Sequence, residues 1–231
     1  MPTTPAIRSY VIRAGRITEA QRRALEQQWP RFGIDFEARP LDLNQCFGRQ
    51  AQRTLEIGFG NGEHLLERAS LQPERDFLGV EVHPPGVGHL LMAVAKAGLG
   101  NLKVIAHDAV AVLQEQIAPQ SLDEIQLLFP DPWPKKRHHK RRIVQPEFAR
   151  LMAGRLKPGG RLHLATDWEP YAQHMSEVLN ACPDLSNAAA DAGYARPDEV
   201  MSRTATRFER RGYAKGHRVH ELIYLRSEAS A

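Results

Sequence analysis

Cysteine is nearly absent from this 231-residue chain: Cys46 and Cys182 stand alone, in no CxxC pair. Neither a disulfide framework nor a cysteine-rich zinc site fits that pattern. Aromatic residues are sparse at 7%, and no apolar run approaches the ~20 residues that a membrane helix requires. Transmembrane and collagen-like classes are excluded, and no membrane partner is expected. The opening residues Met1-Pro2-Thr3-Thr4-Pro5 lack the charged-then-apolar layout of a secretory signal. A soluble, reduced, cytoplasmic protein is the expectation. Internal repeats and low-complexity tracts are missing as well.

What the chain does have is segregated charge. Its net charge of +4 is a mild average. Residues 135–142 (KKRHHKRR) carry six Lys/Arg and no acid, and residues 203–218 carry six Lys/Arg against one Glu. Residues 1–53 hold nine Arg against five acids, which leaves 10 basic and 21 acidic residues elsewhere. An acidic body of −11 therefore wears +15 in three patches. Such asymmetry points to a polyanion met by particular surfaces, whereas diffuse basicity concerns solubility.

The length suits one α/β domain with appendages. We read residues 1–45 as a basic N-terminal arm with a short helix and residues 46–231 as a single domain. In the arm, Thr18-Glu19-Ala20-Gln21 fits a capping box that opens a short helix stopped by Pro30. From residue 54 the pattern predicts strands at 54–57, 76–82, 102–105, 125–129 and 161–166. Helices are predicted at 63–70, 86–97, 109–117, 146–156 and 169–181, with a turn at Pro158-Gly159-Gly160. After residue 183 the alternation lapses through a polar, Ala-rich loop, and Arg218–Leu225 predicts a late antiparallel edge strand. Strands alternating with helices imply a mostly parallel central sheet with helices on both faces.

Such a sheet binds ligands outside the carboxyl ends of its strands, so residues just past each strand carry the functional signal. Glu56 lies within the first strand, and Gly58-Phe59-Gly60-Asn61-Gly62 follows it. Gly58 and Gly60 permit positive φ and close backbone approach. Glu81, Asp108, Asp131 and Asp167 follow the next four strands, with Glu81 placed to accept from both hydroxyls of a ribose. A dinucleotide fingerprint would put its third glycine at position 63, but that position is Glu63. Glu56 and Glu63 flanking the turn would also repel a pyrophosphate. A cofactor with a ribose diol, an ammonium and a positive centre suits these acids better, and S-adenosylmethionine (SAM) has that description.

The string Pro130-Asp131-Pro132-Trp133-Pro134-Lys135-Lys136-Arg137-His138-His139-Lys140-Arg141-Arg142 closely resembles the signature of the bacterial tRNA (guanine-N7)-methyltransferases, the TrmB family. Also similar are LEIGFGNG at 55–62, VEVH at 80–83, KPGGRLHLATDWEPYA at 157–172 and Thr206-Arg207-Phe208-Glu209. The resemblance covers about residues 45–225. It implies a Rossmann-like class I methyltransferase fold using SAM, with S-adenosylhomocysteine as product and the variable-loop guanine at position 46 of tRNA as target. It implies further that Glu56, Glu81, Asp108 and Asp131 contact SAM, that Lys135, Asp167 and Thr206–Glu209 contact substrate, and that Arg137, His138, His139, Lys140, Arg141 and Arg142 face RNA.

Guanine N7 has a free lone pair and no proton, so methyl transfer to it needs alignment and no general base. The purine becomes cationic, and a carboxylate that accepts from guanine N1–H and the N2 amino group would both stabilise that charge and select guanine. Asp131 and Asp167 are the candidates, and Asp131 is the expected catalytic residue. Trp133 and Trp168 suit base stacking, but packing of the loop ends is the preferred reading. His138 and His139 lack a third ligand at zinc spacing, so no metal is expected. A methyltransferase acting on another RNA or a non-nucleic-acid substrate is one alternative. A non-catalytic RNA-binding protein on the same scaffold is another. A monomer or homodimer with no obligatory protein partner is expected.

Overall fold

The computed structural model describes residues 9–10, 16–189, 193–195 and 218–228. Its centre is a seven-stranded sheet built from β1 (Arg53–Ile57), β2 (Asp76–Val80), β3 (Leu102–Ile105), β4 (Leu122–Leu128), β5 (Leu156–Thr166), β6 (Leu185–Asn187) and β7 (His220–Arg226). The strand order is β3-β2-β1-β4-β5-β7-β6. The first five strands pair in parallel, and β7 runs antiparallel to β5 and β6. This is the expected mostly parallel sheet with a late antiparallel strand. Chain order reverses between β1 and β4, which opens a crevice at their carboxyl ends.

Helices cover both faces because alternate strand residues are apolar on each side. Leu55, Ile57, Leu78, Val80, Ile125, Leu127, Leu162 and Leu164 meet α6 (Pro146–Arg155) and α7 (Glu169–Asn180). Phe77, Leu102 and Val104 meet α1 (Glu19–Phe32), α3 (Glu63–Leu71) and α4 (Pro84–Ala97). Each large apolar side chain buried this way contributes roughly 1.5–3 kcal/mol. That second face turns polar toward the middle of the sheet. Thr54, Glu124 and Arg161 are register neighbours on β1, β4 and β5, and Glu56, Gln126 and His163 form the next row. Arg68 of α3 donates to both carboxylate oxygens of Glu124, at 3.2 and 3.0 Å. Both partners are buried.

Several elements differ from the sequence expectation for physical reasons. The Thr18–Gln21 capping box forms as expected, but the helix it opens passes through Pro30. Phe32 is buried and the Gly33 amide reaches the Trp29 carbonyl, so packing holds the last turn. Much of the segment read as an arm lies against the sheet margin, where the Ile34 amide donates to the Val104 carbonyl. A short helix, α2 (Leu43–Phe47), follows under an Asp42 cap. The expected helix at 109–117 divides into α5 (Ala109–Ala111) and a wider π-turn at Val112–Gln116. Pro158-Gly159-Gly160 is an excursion within β5, where the register to β4 shifts between Leu122 and Glu124. The late strand is not an edge, because β6 pairs along its outer side.

Candidate functional site

The Gly58–Gly62 turn joins β1 to α3 and is fixed from three directions. Gly58, Gly60 and Gly62 all have positive φ, at 71°, 59° and 77°. The Gly58 amide donates to the Val80 carbonyl and the Gly62 amide to that of Phe59. Between them, Gly60 donates to Glu81 Oε2 at 2.8 Å. Glu81 Oε1 accepts from the amides of Val82 and His83, at 2.7 and 3.0 Å. Three of the roughly four acceptor positions of this carboxylate therefore hold backbone. Glu81 organises the turn, and it keeps about one acceptor position for a ligand rather than the free pair expected for a ribose diol. A Cβ built at Gly58 or Gly60 would meet nothing within 4 Å, so the turn presents bare backbone to an open cradle.

Glu56 is buried, at 3% exposure. Its Oε2 accepts from Nδ1 of His64 at 2.8 Å, across the base of the turn. Asp108 caps α5 by accepting from the Val110 amide at 2.8 Å. Next to it the His107 ring stacks on Phe36 with centroids 3.8 Å apart. Asp131 is exposed beyond β4, and Asp167 is half-buried beyond β5. The carboxyl ends of five adjacent parallel strands thus bring Asp108, Glu81, Glu56, Asp131 and Asp167 to one edge.

The Pro130–Pro134 loop is held in an uncommon shape. Phe129 and Trp133, which bracket Pro130-Asp131-Pro132, have φ of 53° and 45°. Left-handed bulky residues cost of order 1–3 kcal/mol each and persist only where neighbours enforce them. The Phe129 amide donates to the Ala165 carbonyl at 2.8 Å. Trp133 donates from Nε1 to the Ser9 carbonyl at 3.0 Å, lies 3.8 Å beneath the Arg141 guanidinium and meets His138 edge-on. These contacts pack the ring against the loop and the cationic turn. Trp168, by contrast, is 38% exposed at the start of α7.

Residues Lys136–Arg141 form a 3₁₀ turn. Lys135, Lys136, Arg137 and Lys140 are exposed, and His138, His139 and Arg141 are partly so. His138's pKa is held below the ordinary histidine value by desolvation first, then by the charges of Arg137, Arg141, Lys135 and Lys140. Arg141 also donates to the Tyr10 carbonyl at 3.3 Å. Arg142 departs from the expectation that the whole run faces RNA. It is 4% exposed, donates from Nε to the Pro132 carbonyl at 2.9 Å, and lies 4.8 Å over the Tyr171 ring. Burial lowers the pKa of Arg142, with Tyr171 acting the other way. The expected substrate residues Thr206, Arg207, Phe208 and Glu209 lie outside the described residues.

Sequence reasoning missed His64, whose only signal was its place just past the glycine turn. Among the described residues no group of three or more His, Cys, Asp or Glu could hold a metal, and no helix is long and apolar enough to cross a membrane. A cavity of about 240 Å³ opens at the opposite, amino edge of the sheet, between Gln52, Arg75, Asp123, Lys157 and Arg161. It contains none of the five acids at the strand ends.

Residues 50–222 match a family model described as "Putative methyltransferase". The chain is 56% identical to a tRNA (guanine-N(7)-)-methyltransferase of Alkalilimnicola ehrlichii over 96% of this chain and 93% of that one. It is 57% identical to a protein of the same description from Pseudomonas entomophila over 94% and 90% of the two chains. Among solved structures, the 16S rRNA methyltransferase KamB shares the fold, with a TM-score of 0.53 at 19% identity over 94% of this chain and 98% of that one.

Proposed function

The chain belongs to the tRNA (guanine-N7)-methyltransferase family and forms 7-methylguanosine in tRNA, and on that premise we propose how its residues divide the work. Glu56, Glu81, Asp108 and the backbone of Gly58 and Gly60 hold SAM, and Asp131 borders both cofactor and guanine. Lys135, Asp167 and Thr206–Glu209 hold the substrate, and the target is the guanine at position 46 of the variable loop. Lys136, Arg137, His138, His139, Lys140 and Arg141 meet RNA.

One observation carries this reading: five acids end adjacent strands on one edge, and the exposed cationic turn follows β4 there through the Pro130–Pro134 loop. The residues present suit SAM. Glu56 Oε2 is taken by His64, while Oε1 has no hydrogen-bond partner among the described residues and keeps contact with solvent. An acid buried except at one oxygen fits a single cationic hydrogen-bond donor. The open cradle over Gly58 and Gly60 fits a ligand lying flat on backbone.

When bound, SAM supplies a methyl group on a positively charged sulfur. The protein's part is then to align, to exclude water and to stabilise charge. Guanine N7 has no proton to lose, so no side chain must act as a base. Orientation contributes ~7–11 kcal/mol in ideal intramolecular cases. Asp131 and Asp167 accept from the Watson–Crick edge of guanine, and their charge offsets the positive charge that the purine acquires. Adenine presents an acceptor at N1 and no amino group at C2, so it could not donate to them in the same way.

The decisive experiment is labelled-methyl transfer to unmodified tRNA, with the product located by chain cleavage at 7-methylguanosine. Label at guanine 46 is expected, and label elsewhere refutes the assignment of position. Asp131→Asn and Asp167→Asn should each slow transfer at saturating SAM. A variant with the wild-type rate and intact guanine preference removes that residue from the mechanism.

A further inference from the structure

His64 has no role in the reading so far, yet its geometry is specific. It is the second residue of α3, directly after a glycine turn whose preceding helix cap, Gly62, makes no side-chain cap hydrogen bond. Its ring does not point to solvent: the side chain is 3% exposed and reaches back across the turn to Glu56, itself 4% exposed. A carboxylate only accepts, so the Nδ1 that meets Glu56 Oε2 at 2.8 Å carries a proton. The far nitrogen, Nε2, is buried and has no partner among the described residues. An orphaned buried polar atom is costly, and packing alone would be served better by an apolar side chain of the same size. What the imidazole provides here is the hydrogen bond at Nδ1.

That bond divides the Glu56 carboxylate into two unlike oxygens. Oε2 is held by the protein, and Oε1 is left with solvent contact at the cofactor edge. No other side-chain hydrogen bond among the described residues holds the carboxylate. Glu81 differs, since three backbone amides hold it. Without His64, the buried Glu56 carboxylate would lose the one hydrogen bond it makes among the described residues.

We propose that His64 is a positioning residue for SAM: it donates to Glu56 Oε2 and so fixes Oε1 as the acceptor for the cofactor's cationic donor. The proposal rests on the reading of Glu56 as a cofactor ligand. It predicts a role confined to SAM affinity, because the hydrogen-bond partner of His64 is Glu56 rather than a residue of the Pro130–Pro134 loop or the cationic turn.

Five variants of the full chain test it, with SAM affinity by calorimetry and methyl transfer to tRNA as readouts. His64→Leu removes the donor and His64→Gln moves it to the far end of the ring position. Each should weaken SAM binding about ten-fold, as expected for loss of a hydrogen bond to a charged group. The kcat at saturating SAM and the KM for tRNA should stay within about two-fold, since neither reports a lost ground-state contact to SAM. His64→Asn keeps an N–H near the Nδ1 position and should stay within about three-fold of wild type in SAM affinity. In a Glu56→Gln background, His64→Leu should change SAM affinity less than two-fold, because a residue acting through Glu56 has nothing left to position.

Wild-type SAM affinity in His64→Gln, an equal loss in His64→Asn, or a full ten-fold effect in the Glu56→Gln background overturns the proposal. Should His64→Leu fail to fold, the two polar variants decide it alone. Undiminished SAM affinity in Glu56→Gln instead removes Glu56 from the cofactor site. Weakened binding in Glu56→Gln with an unaffected His64→Gln removes only His64.

Discussion

Replacing Arg142 with Met separates a cation that shapes the loop from the cations proposed to meet RNA. Met keeps most of the apolar stem and removes the guanidinium. Lost with it are the 2.9 Å bond to the Pro132 carbonyl and the contact 4.8 Å over Tyr171. A hydrogen bond from a charged donor is worth ~1.5–3 kcal/mol, and a cation over an aromatic ring ~0.5–2 kcal/mol. The expected loss is about 2–4 kcal/mol, since the two contacts share one guanidinium and are not additive. At ~2–4 °C per kcal/mol for a domain of this size, the melting temperature should fall by about 5–15 °C. Pro132 lies between two residues held at positive φ, so release of its carbonyl lets the loop relax and carries Asp131 with it. A displacement of about 1 Å costs ~10²-fold in rate, so kcat should fall by one to two orders of magnitude. The assay that refutes this is the salt dependence of tRNA binding. Arg137→Ala and Lys140→Ala should each make the log–log slope shallower by about 0.7–0.9 with melting barely changed, whereas Arg142→Met should leave the slope intact. An Arg142→Met protein with wild-type melting and a slope shallower by about one unit would falsify the assignment.

Three further outcomes follow from the packing and charge around the site. Burial alone would raise the pKa of Glu124, but Arg68's charge and hydrogen bonds, helped by Arg161 and His163, outweigh it and hold the carboxyl below the ordinary glutamate value. That stabilisation is complete above the unfolded value and is lost as pH falls through the folded one. A melting curve taken against pH should therefore drop below about pH 4.5 in wild type and be flatter in Glu124→Gln, which should itself be ~3–5 kcal/mol less stable at pH 7 because Arg68 is left buried and unpaired. Gly86→Ala would place a Cβ 2.1 Å from the Gly60 carbonyl oxygen. Calorimetry should show SAM affinity reduced more than tRNA affinity, and equal losses would mean that the shift is not confined to the turn. Glu81→Ala frees three backbone amides and should abolish measurable SAM binding, whereas a loss below ten-fold would indicate that the turn holds its shape without that carboxylate.

The order and type of the main elements were legible because apolar periodicity and glycine punctuation are local. The Thr18–Gln21 capping box and the Gly98 helix end are both realised, the latter with φ of 68°. Legibility failed where distant packing decided the outcome. Pro30 should stop a helix on local grounds, but Phe32 is buried and draws the last turn onward. The three residues of β6 have no periodicity to read, and they are what makes β7 internal. The strand-end acids could be placed on one edge from topology alone, since parallel strands share a direction. Their individual states could not. The sequence does not reveal that Glu81 is engaged by three amides, or that Glu56 has His64 as a partner, because both depend on how a turn folds back. The cationic run shows the same limit: six like charges read as one surface, and only the turn geometry sends Arg142 inward.

The placement of β7 also bears on how the protein is made. β5 finds its antiparallel partner only in residues 220–226, more than fifty positions further along the chain. During synthesis the parallel half of the sheet can assemble while the outer side of β5 waits with its amides and carbonyls unpaired, an invitation to pair with another chain. A ribosome that stalls after residue 200 would release a molecule with the strand-end acids in place and a sheet that cannot close. The cell would then meet an adhesive fragment, so the hazard of incomplete translation is aggregation as much as lost activity.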